Sequence, residues 1–451
     1  MFRRNQPLCG LMLLFFGITL LYYTAYLNPQ LTRVTANRKS IASPEVLFLY
    51  RAYLLNSKRG VTIRVLSINQ CVNPKWRLMG YVGGRAMKFR AKTIENRCPW
   101  LWAPGCKYNS YVLDANLLND TVSETVTLFL RGRNVSLPLH RLPLRKSGTL
   151  SVCVPPIYWF TDWIKIIFFL ETWKEQGASH VYMYYHSSSR SVLQVLRHYE
   201  EQGFVTMVPW PSLPRSQVED PNKSVYRLAH SLAHNDCVLR IESEFGALVD
   251  IDEIIVPRSG TLLPFIVEKF SNATIGAFAF PHRSLMLSPA LAGDKFSFVD
   301  LDFSGILNAT ESQVNGPSKV IFRAAAVSLQ STHFVRMFRD RSIVSRVSPS
   351  EAVLLHYRYT NRDNGSAQPV DLFPNEPNAD AMRATMLATA RRIFPNGAEF
   401  HYATQKELGR CLKRWRKTQN QCKTPVTGCW NVVASLEDWH FTEDGEQFHI
   451  L

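Results

Sequence analysis

Several signatures of common enzyme classes are missing from this 451-residue sequence. It contains no Gly-x-Ser-x-Gly, no Walker loop and no Gly-x-Gly-x-x-Gly, so hydrolase, nucleotide triphosphatase and Rossmann dehydrogenase functions have no motif to support them. No two cysteines are spaced as Cys-x-x-Cys, which argues against a structural zinc site. The sequence also lacks low-complexity tracts and repeats of solenoid length. We therefore expect one large catalytic domain accompanied by smaller pieces.

Charge is absent near the N-terminus. No Asp, Glu, Lys or Arg occurs between Arg4 and Arg33, and residues 8–27 form an apolar stretch of the roughly 20 residues that a membrane-spanning helix needs. A cleaved signal peptide is the alternative, but its apolar region is usually only about 7–15 residues long. We predict a cytoplasmic tail over residues 1–7, a transmembrane signal anchor over residues 8–27 and a stem over residues 28–44.

Two features favour a luminal, oxidising location for the rest of the chain. Beyond Cys9 in the anchor, eight cysteines form an even set that fits up to four disulfides. The pairing cannot be read from sequence, although Cys98 and Cys106 are expected to close a loop. The second feature is a set of six Asn-x-Ser/Thr sequons. They begin at Asn119, Asn134, Asn222, Asn272, Asn308 and Asn364.

The net charge of +16 would allow a nucleic-acid partner. Lys and Arg are scattered along the chain, however, and no block of like charge stands out. Nucleotide-sugars are anions of the secretory lumen that fit such a basic surface. The basic charge therefore does not require a nucleic-acid partner, and none is expected.

The pattern of apolar residues changes along the chain. Short alternating runs predict a β-rich accessory domain over residues 45–147, with strands at 61–66, 125–130 and 134–139. Predicted strands and helices then alternate, which indicates an α/β catalytic domain with a parallel sheet over residues 148–405. Its first elements are strands at 151–155, 180–185 and 204–208 and helices at 163–175 and 192–202. Residues 406–451 form a cysteine-containing C-terminal segment.

One acidic motif follows an apolar strand of the predicted α/β domain. Asp250 and Asp252 stand at positions i and i+2, so extended backbone would direct both carboxylates to the same side. Ligands of parallel sheets bind beyond the carboxyl ends of the strands, and oxygen ligands suit Mn²⁺ or Mg²⁺. An Asp-x-Asp alone is a weak signal, since most such pairs are solvated turns. A second pair, Asp300 and Asp302, occurs downstream.

An ordered set of motifs from about Leu150 to Arg358 resembles glycosyltransferase family 92. The set comprises Phe168-Phe-Leu-Glu171, Gly177-Ala-Ser-His180-Val-Tyr182, Tyr199, Gly203, Trp210, Asn235-Asp-Cys237, Asp250-Ile-Asp-Glu253, Pro257, Lys319-Val-Ile-Phe-Arg323 and His356-Tyr-Arg358. The resemblance implies a GT-A fold, a metal-dependent UDP-sugar donor, which is UDP-galactose in characterised members, and inversion at the anomeric carbon. It also implies a type II Golgi membrane protein that transfers galactose in β-1,4 linkage to a fucose or galactose of N-glycans. One departure is Ala324, where we would expect proline.

The predicted metal ligands are Asp250, Asp252 and His356. GT-A enzymes often complete the site with a late histidine, and neutral imidazole accepts Mn²⁺. A histidine bonded within the core is an equal alternative for His356, and His333 is a weaker candidate. His230 and His234 have the spacing of a zinc pair on a helix, but a shared helix face explains them better.

Other predicted site residues rest on their charge alone. Inversion needs a general base for the acceptor hydroxyl, and Asp302 and Asp300 are available. Arg283 and Lys319, together with the cation at Asp250, could bind the donor phosphates, although ordinary salt bridges explain both basic residues as well. The non-enzymatic alternative is a membrane-anchored, calcium-dependent glycan-binding protein.

Overall fold

The computed structural model describes most of the chain beyond residue 45. The described residues are 46–57, 60–71, 78–101, 103–117, 123–215, 220–286, 298, 301, 303, 310–312, 316–358, 368–369, 378–399, 402–417, 422, 424–442 and 447–451. The predicted signal anchor, Asp300, Asp302 and the sequon asparagines Asn119, Asn308 and Asn364 lie outside them. Within this described part, no helix is long and apolar enough to cross a membrane.

Contacts along the chain divide it into two units. The principal unit comprises Glu45–Leu213 and Asn222–Leu451, and everything below concerns it. The other unit comprises Met1–Pro44 and Pro214–Pro221. Among its few described residues, Arg215 Nε lies 3.3 Å from Asp220 Oδ2.

The first seven strands form a sheet that closes on itself, because β1 pairs with both β2 and β7. Pairing is antiparallel except between β1 and β7, and alternate apolar side chains fill the interior. The predicted strands at 61–66, 125–130 and 134–139 lie within β2, β6 and β7. The strands are β1 (Leu47–Ser57), β2 (Gly60–Gln70), β3 (Leu78–Val82), β4 (Arg85–Thr93), β5 (Tyr108–Leu117), β6 (Thr125–Leu130) and β7 (Arg133–Arg141).

The following elements build the α/β part. Strands are β8 (Lys146–Ile157), β9 (Ala178–Tyr185), β10 (Ser187–Ser188), β11 (Val205–Pro209), β12 (Ser243–Leu248), β13 (Glu253–Pro257), β14 (Ile275–Phe280), β15 (His282–Met286), β16 (Thr310–Ser312), β17 (Lys319–Arg323), β18 (Val327–Gln330), β19 (Val335–Phe338), β20 (Ile343–Arg346), β21 (Ala352–Arg358) and β22 (Gln368–Pro369). Helices are α1 (Trp163–Glu175), α2 (Arg190–Glu201), α3 (His230–Arg240), α4 (Leu262–Lys269) and α5 (Asn378–Ile393). The helix predicted at 163–175 is confirmed with the same bounds.

The central sheet has the strand order β11-β9-β8-β12-β17-β14-β20. The four strands from β11 to β12 run parallel, as predicted, and bury a large apolar core against α1 and α2. The predicted parallel sheet is confirmed in part, because β17 runs antiparallel to both of its neighbours, β12 and β14. This reversed strand brings Lys319 beside the carboxyl end of β12.

A second sheet, of order β13-β21-β15-β16-β22, completes the frame of the site. Its register pairs Glu253 of β13 with His356 of β21, which in turn lies opposite Ser284 of β15. Since β13 begins directly after the Asp250-Ile251-Asp252 turn, this register brings a histidine distant in sequence to the acidic motif.

The C-terminal part returns to the β-rich sheet. Helices α6 (Tyr402–Lys417), α7 (Pro425–Gly428) and α8 (Trp430–Val433) precede two short strands, β23 (His440–Phe441) and β24 (His449–Ile450). Strand β24 pairs with β1, and β23 pairs with β10. Both ends of this unit are therefore held in sheets.

All eight cysteines beyond the predicted anchor are paired, which confirms the expected four disulfides. The bonds are Cys71–Cys98, Cys106–Cys422, Cys153–Cys237 and Cys411–Cys429. The expectation that Cys98 and Cys106 close one loop is wrong. Cys98 instead meets the end of β2, while Cys106 reaches the C-terminal segment across 316 residues.

Two further details differ from a simple interpretation of the sequence. Ala324, where we expected proline, donates its backbone N–H to the carbonyl oxygen of Glu244 at 2.9 Å, a bond that proline cannot make. The sequon at Asn222 is structural, because its side chain is buried and bonds both the N–H and the carbonyl of Leu213 at 2.8 Å. Asn134 and Asn272 are exposed.

Candidate functional site

The acidic motif forms a tight turn at the carboxyl end of β12. The N–H of Asp250 donates to Glu253 Oε2 at 2.8 Å, and the N–H of Glu253 donates back to the Asp250 carbonyl at 3.0 Å. These reciprocal bonds fix the turn, much as a capping box fixes a helix start. The side chains of Asp250 and Asp252 remain 31% and 32% exposed. Both carboxylates are thus held open to a ligand.

Lys319 holds one side of the turn. Its side chain is fully buried, and Nζ lies 3.2 Å from Asp250 Oδ2 and 3.3 Å from Glu253 Oε2. Burial lowers the pKa of Lys319, but the two carboxylates raise it by more, so the ammonium stays charged. A direct contact to a donor phosphate would require the ammonium to leave these carboxylates.

The two carboxyl groups beside Lys319 have opposite pKa shifts. Burial raises the pKa of Asp250, but Lys319 and Arg227 lower it by more, so the net shift is downward. Burial raises the pKa of Glu253 to about 7 although Lys319 opposes it, because the neighbouring aspartates add to the effect. The turn therefore pairs a firmly ionised aspartate with a glutamate that titrates near neutral pH.

His356 holds the other side of the turn. Its Nε2 lies 3.1 Å from Asp252 Oδ2, and its Nδ1 lies 3.1 Å from His282 Nε2. Burial raises the pKa of Asp252, but the hydrogen bond and charge of His356 lower it by more. The ring of His282 packs against Gly316, where an added Cβ would come within 2.7 Å of the imidazole. His282 thus bonds the ring nitrogen of His356 that does not face Asp252. This second bond fixes the orientation of the His356 imidazole.

The pair Asp252 and His356 fits a divalent cation. Two ligands at about 2.1 Å on adjacent corners of an octahedron are about 3 Å apart, and the observed separation is 3.1 Å. Asp250 lies in the same turn, with Lys319 on its far side. Among the residues that the structure describes, no three His, Cys, Asp or Glu side chains converge as a complete metal site. Asp252 and His356 are brought together, Asp250 lies in the same turn as Asp252, and the role of all three as ligands stays a prediction.

A strained turn that the sequence did not reveal borders the acidic motif. Arg227, Leu228 and Ala229 follow each other in the left-handed region, with φ of 42°, 53° and 58°. The indole of Trp210 holds this turn by donating to the Leu228 carbonyl at 2.7 Å. Such strain persists where surrounding contacts impose it, often at functional sites. Nothing in the local residue types signals it.

This turn presents an unpaired cation to the site. Arg227 reaches solvent, and its guanidinium lies over the Tyr226 ring at 5.4 Å. Desolvation by surrounding protein lowers its pKa, but nearby tyrosines and the charges of Asp250 and Asp252 raise it by more. Within the described part of the chain, no hydrogen bond or ion pair involves this guanidinium. It is therefore an exposed positive charge within the field of the two aspartates.

Tyr158 is a second site residue that sequence reasoning missed. It directly follows β8, the parallel neighbour of β12, and its ionisation responds to the charges of Arg227 and Asp250. Burial raises its pKa to about 12, so its hydroxyl stays protonated. The rule that ligands bind beyond the carboxyl ends of parallel strands would have identified it.

Behind the motif lies a group of buried, neutral histidines. Burial lowers the pKa of His234 to about 3 and that of His333 to about 4. His230 Nε2 bonds Thr332 Oγ1 at 2.8 Å, and its ring centroid is 5.4 Å from that of His234. Both ring nitrogens of His234 lack a hydrogen-bond partner among the described residues. The rings of His230 and His234 belong to the packed interior.

The remaining predicted residues lie apart from this cluster or outside the described chain. Arg283 follows His282 on β15, so its side chain leaves the opposite face of the strand, and its Nε lies 3.3 Å from Glu311 Oε1. Glu311 also pairs with Arg258 at 2.9 Å. Asp300 and Asp302 are outside the described residues, so their proposed role as base stays a prediction.

The comparison with known families decides the class. The pattern described as "Glycosyltransferase family 92" matches residues 148–393, which is more than half of the chain. The chain belongs to glycosyltransferase family 92. It therefore is a glycosyltransferase-family protein, and the acidic motif lies within the residues that match the family.

Two relatives from Caenorhabditis elegans bear the family name. Glycosyltransferase family 92 protein F13G3.3 is 26% identical over 234 residues, which are 48% of this chain and 44% of that protein. Protein ZK381.2 is 22% identical over 272 residues, 58% of this chain and 51% of that protein. The chain thus matches about half the length of each relative.

Solved structures share only a distant likeness. The crystal structure of S. aureus TarS 1-349 in complex with UDP-GlcNAc is 14% identical, with a TM-score of 0.27 over 57% of this chain and 78% of that chain. A UDP-glucose pyrophosphorylase complexed with UDP-glucose is 7% identical, with a TM-score of 0.22 over 52% of this chain and 97% of that chain.

Proposed function

We propose that this protein is a metal-dependent, inverting glycosyltransferase of GT-A type that transfers a hexose, galactose from UDP-galactose, to a glycan acceptor. The acceptor is a fucose or galactose of an N-glycan and the new linkage is β-1,4, as the family resemblance implies. Family membership supports the class of reaction. The residues around the acidic turn support the use of an anionic, diphosphate-containing donor.

The observation that carries this proposal is the pairing of Asp252 with His356 beside the fixed Asp250. A carboxylate and an imidazole nitrogen 3.1 Å apart, open to solvent at the carboxyl end of β12, suit a Mn²⁺ or Mg²⁺ ion. Asp250, Asp252 and His356 would hold it. When bound, such a cation supplies positive charge against the diphosphate leaving group.

The other residues of the proposed site have separate roles. Arg227 would add a second positive charge toward the diphosphate, since a guanidinium binds phosphate oxygens in a planar fork. Lys319 orients Asp250 from inside the protein and His282 orients His356. The base that removes the acceptor proton is assigned to Asp302 or Asp300 from the sequence.

A donor screen on the full-length protein in detergent tests this function. We expect Mn²⁺-dependent release of UDP from UDP-galactose, faster than from other nucleotide-sugars and abolished by a chelator. Release that is insensitive to chelation would contradict metal dependence. Calcium-dependent glycan binding without nucleotide release would favour a binding protein instead.

We also propose a type II topology in the Golgi membrane, from the apolar segment 8–27 and the luminal features of the sequence. Glycosidase treatment of the protein from cells should then increase its gel mobility. Asn134→Gln and Asn272→Gln are each expected to remove one glycan, because both asparagines are exposed. Asn222→Gln should remove none, since that side chain is buried and hydrogen-bonded. An unshifted band would contradict the topology.

A further inference from the structure

One segment of the β-rich part lies against the strained turn of the α/β part. It runs from Cys98 to Cys106, and a disulfide fixes each end, to Cys71 and to Cys422. Within it, the Ala103 N–H donates to the Trp100 carbonyl at 2.9 Å. The segment is thus a loop that disulfides hold at both ends.

The residues before this loop are held just as firmly. Arg336 on β19 donates to the backbone carbonyls of Thr93, Ile94 and Glu95. The Glu95 carboxylate accepts from Ser331 Oγ at 2.6 Å, in the turn between β18 and β19. The neighbouring β5 adds a bond from the Tyr108 N–H to the Ser224 carbonyl at 3.0 Å, three residues before Arg227. The chain on either side of the loop is therefore hydrogen-bonded to the α/β part.

Ring contacts lead from this loop to Arg227, whose charge lowers the pKa of Asp250 in the acidic motif. The ring of Trp100 meets Tyr226 edge to face at 5.4 Å, and the guanidinium of Arg227 covers the same tyrosine ring at 5.4 Å. The charge of Asp250 in turn affects the ionisation of Tyr226. Trp100 keeps part of its surface exposed, and the adjacent Leu101 is 66% exposed. An open aromatic and apolar surface therefore borders the site without a cover among the described residues.

We propose that Trp100, carried on the Cys98–Cys106 loop and packed against Tyr226, forms a wall of the acceptor subsite and stacks on the apolar face of the acceptor sugar. This inference rests on the proposed transferase function. A pyranose ring offers C–H groups on its face and hydroxyls at its edge, which suits an aromatic wall with polar groups beside it. We assign the donor diphosphate to the acidic turn, whereas the wall contacts Tyr226. That leaves the wall to the second substrate.

The test separates acceptor binding from donor chemistry. Full-length wild type, Trp100→Ala and Trp100→Phe are assayed with UDP-galactose and Mn²⁺, without acceptor and with methyl β-galactoside or methyl α-fucoside. We expect Trp100→Ala to raise the acceptor KM by at least about tenfold, since truncated aromatic anchors commonly cost that much. Nucleotide release without acceptor should stay within about twofold of wild type. Trp100→Phe should recover most of the loss.

Tyr81→Ala is the matched control. Tyr81 is 45% exposed on the same β-rich sheet and packs on Phe129 edge to face at 5.2 Å, much as Trp100 packs on Tyr226. It should leave the acceptor KM unchanged. A raised donor KM in Trp100→Ala would instead show that the wall binds the nucleotide and would overturn the proposal.

A measurement on the unmutated protein tests the proposal even if the variants fail to fold. Oxidation of Trp100 by N-bromosuccinimide, followed by peptide mass spectrometry, should slow in the presence of the methyl glycosides but not of UDP-galactose alone. Nucleotide release by the wild type with no glycoside effect on rate or on oxidation would overturn the acceptor wall alone. No release from any donor would overturn the proposed function itself.

Discussion

Asp250 and Asp252 lie in one turn with almost equal exposure, yet their partners differ. Asp250 faces Lys319, a buried and permanent cation, at 3.2 Å. Asp252 faces His356, whose ring is 18% exposed, at 3.1 Å. Separating a buried ammonium from its carboxylate partners has a large electrostatic cost. An imidazole, in contrast, can exchange its hydrogen bond for a bond to a metal. The site thus has a closed half, Lys319 with Glu253, that sets geometry, and an open half, Asp252 with His356 beside the exposed Asp250 carboxylate, that can receive a ligand.

The largest expected effect concerns the stability of the closed half. Lys319→Met removes the only described cation bonded to Asp250 and Glu253 and leaves buried negative charge, so we expect a loss of about 3–5 kcal/mol in the free energy of unfolding. The matched control is Lys269→Met, because Lys269 pairs with Glu351 at the surface and should cost less than about 1 kcal/mol. Urea unfolding at neutral pH, with disulfides intact, measures both. Equal losses of unfolding free energy in the two variants would mean that the buried ion pairs of Lys319 contribute no more than a surface pair.

The next effect concerns catalysis in the open half. Asp252→Asn keeps the shape of the side chain but removes one negative charge, so the protein should fold while its Mn²⁺-dependent transfer rate falls at least about a hundredfold. Asp300→Asn, in the second acidic pair, should keep a normal Mn²⁺ response. Transfer rates measured across a Mn²⁺ titration compare the two variants. Near-normal transfer by Asp252→Asn together with loss in Asp302→Asn would move the site to the second pair.

The open half was largely predictable from sequence and the closed half was not. Asp250 and Asp252 follow an apolar run whose strand is confirmed, and His356 was expected as a late histidine. Lys319 opens an apolar strand, where a lysine usually extends to solvent. Only the reversed direction of β17 shows that its ammonium is buried against Asp250.

Two other features depend on information that no local pattern contains. Eight cysteines allow about 105 complete pairings, so the bond from Cys106 to Cys422 was beyond reach. The left-handed backbone at Arg227 uses residue types that rarely adopt it, and distant contacts such as the Trp210 bond impose it. Each of these features depends on which parts of the chain meet in the fold.

A smaller effect should appear in the pH dependence of stability. The pKa of Glu253 is raised to about 7 in the folded protein, from an ordinary value near 4.5. Its contribution to stability is therefore fully present below about pH 4.5 and is lost as the pH rises toward 7. Glu253→Gln cannot ionise, so its unfolding free energy should gain on that of wild type over this range, by at most about 1.4 kcal/mol per pH unit. Parallel curves for the two proteins in metal-free urea titrations would contradict the raised pKa.

The smallest expected effect concerns Arg227, the cation beside the open half of the site. Arg227 is exposed and makes no described ion pair, so Arg227→Ala should leave the unfolding free energy within about 0.5 kcal/mol of wild type. If its guanidinium contacts the donor diphosphate, the KM for UDP-galactose should rise about tenfold. This corresponds to the loss of one charge-assisted hydrogen bond of about 1.4 kcal/mol. Arg227→Lys should recover part of this loss, because the charge remains but the planar fork is gone. Arg283→Ala is the matched control, since its side chain pairs with Glu311 on the opposite face of β15 and should leave the donor KM unchanged. A donor KM that responds to Arg283 and not to Arg227 would place the diphosphate on the other side of that strand, away from the acidic turn.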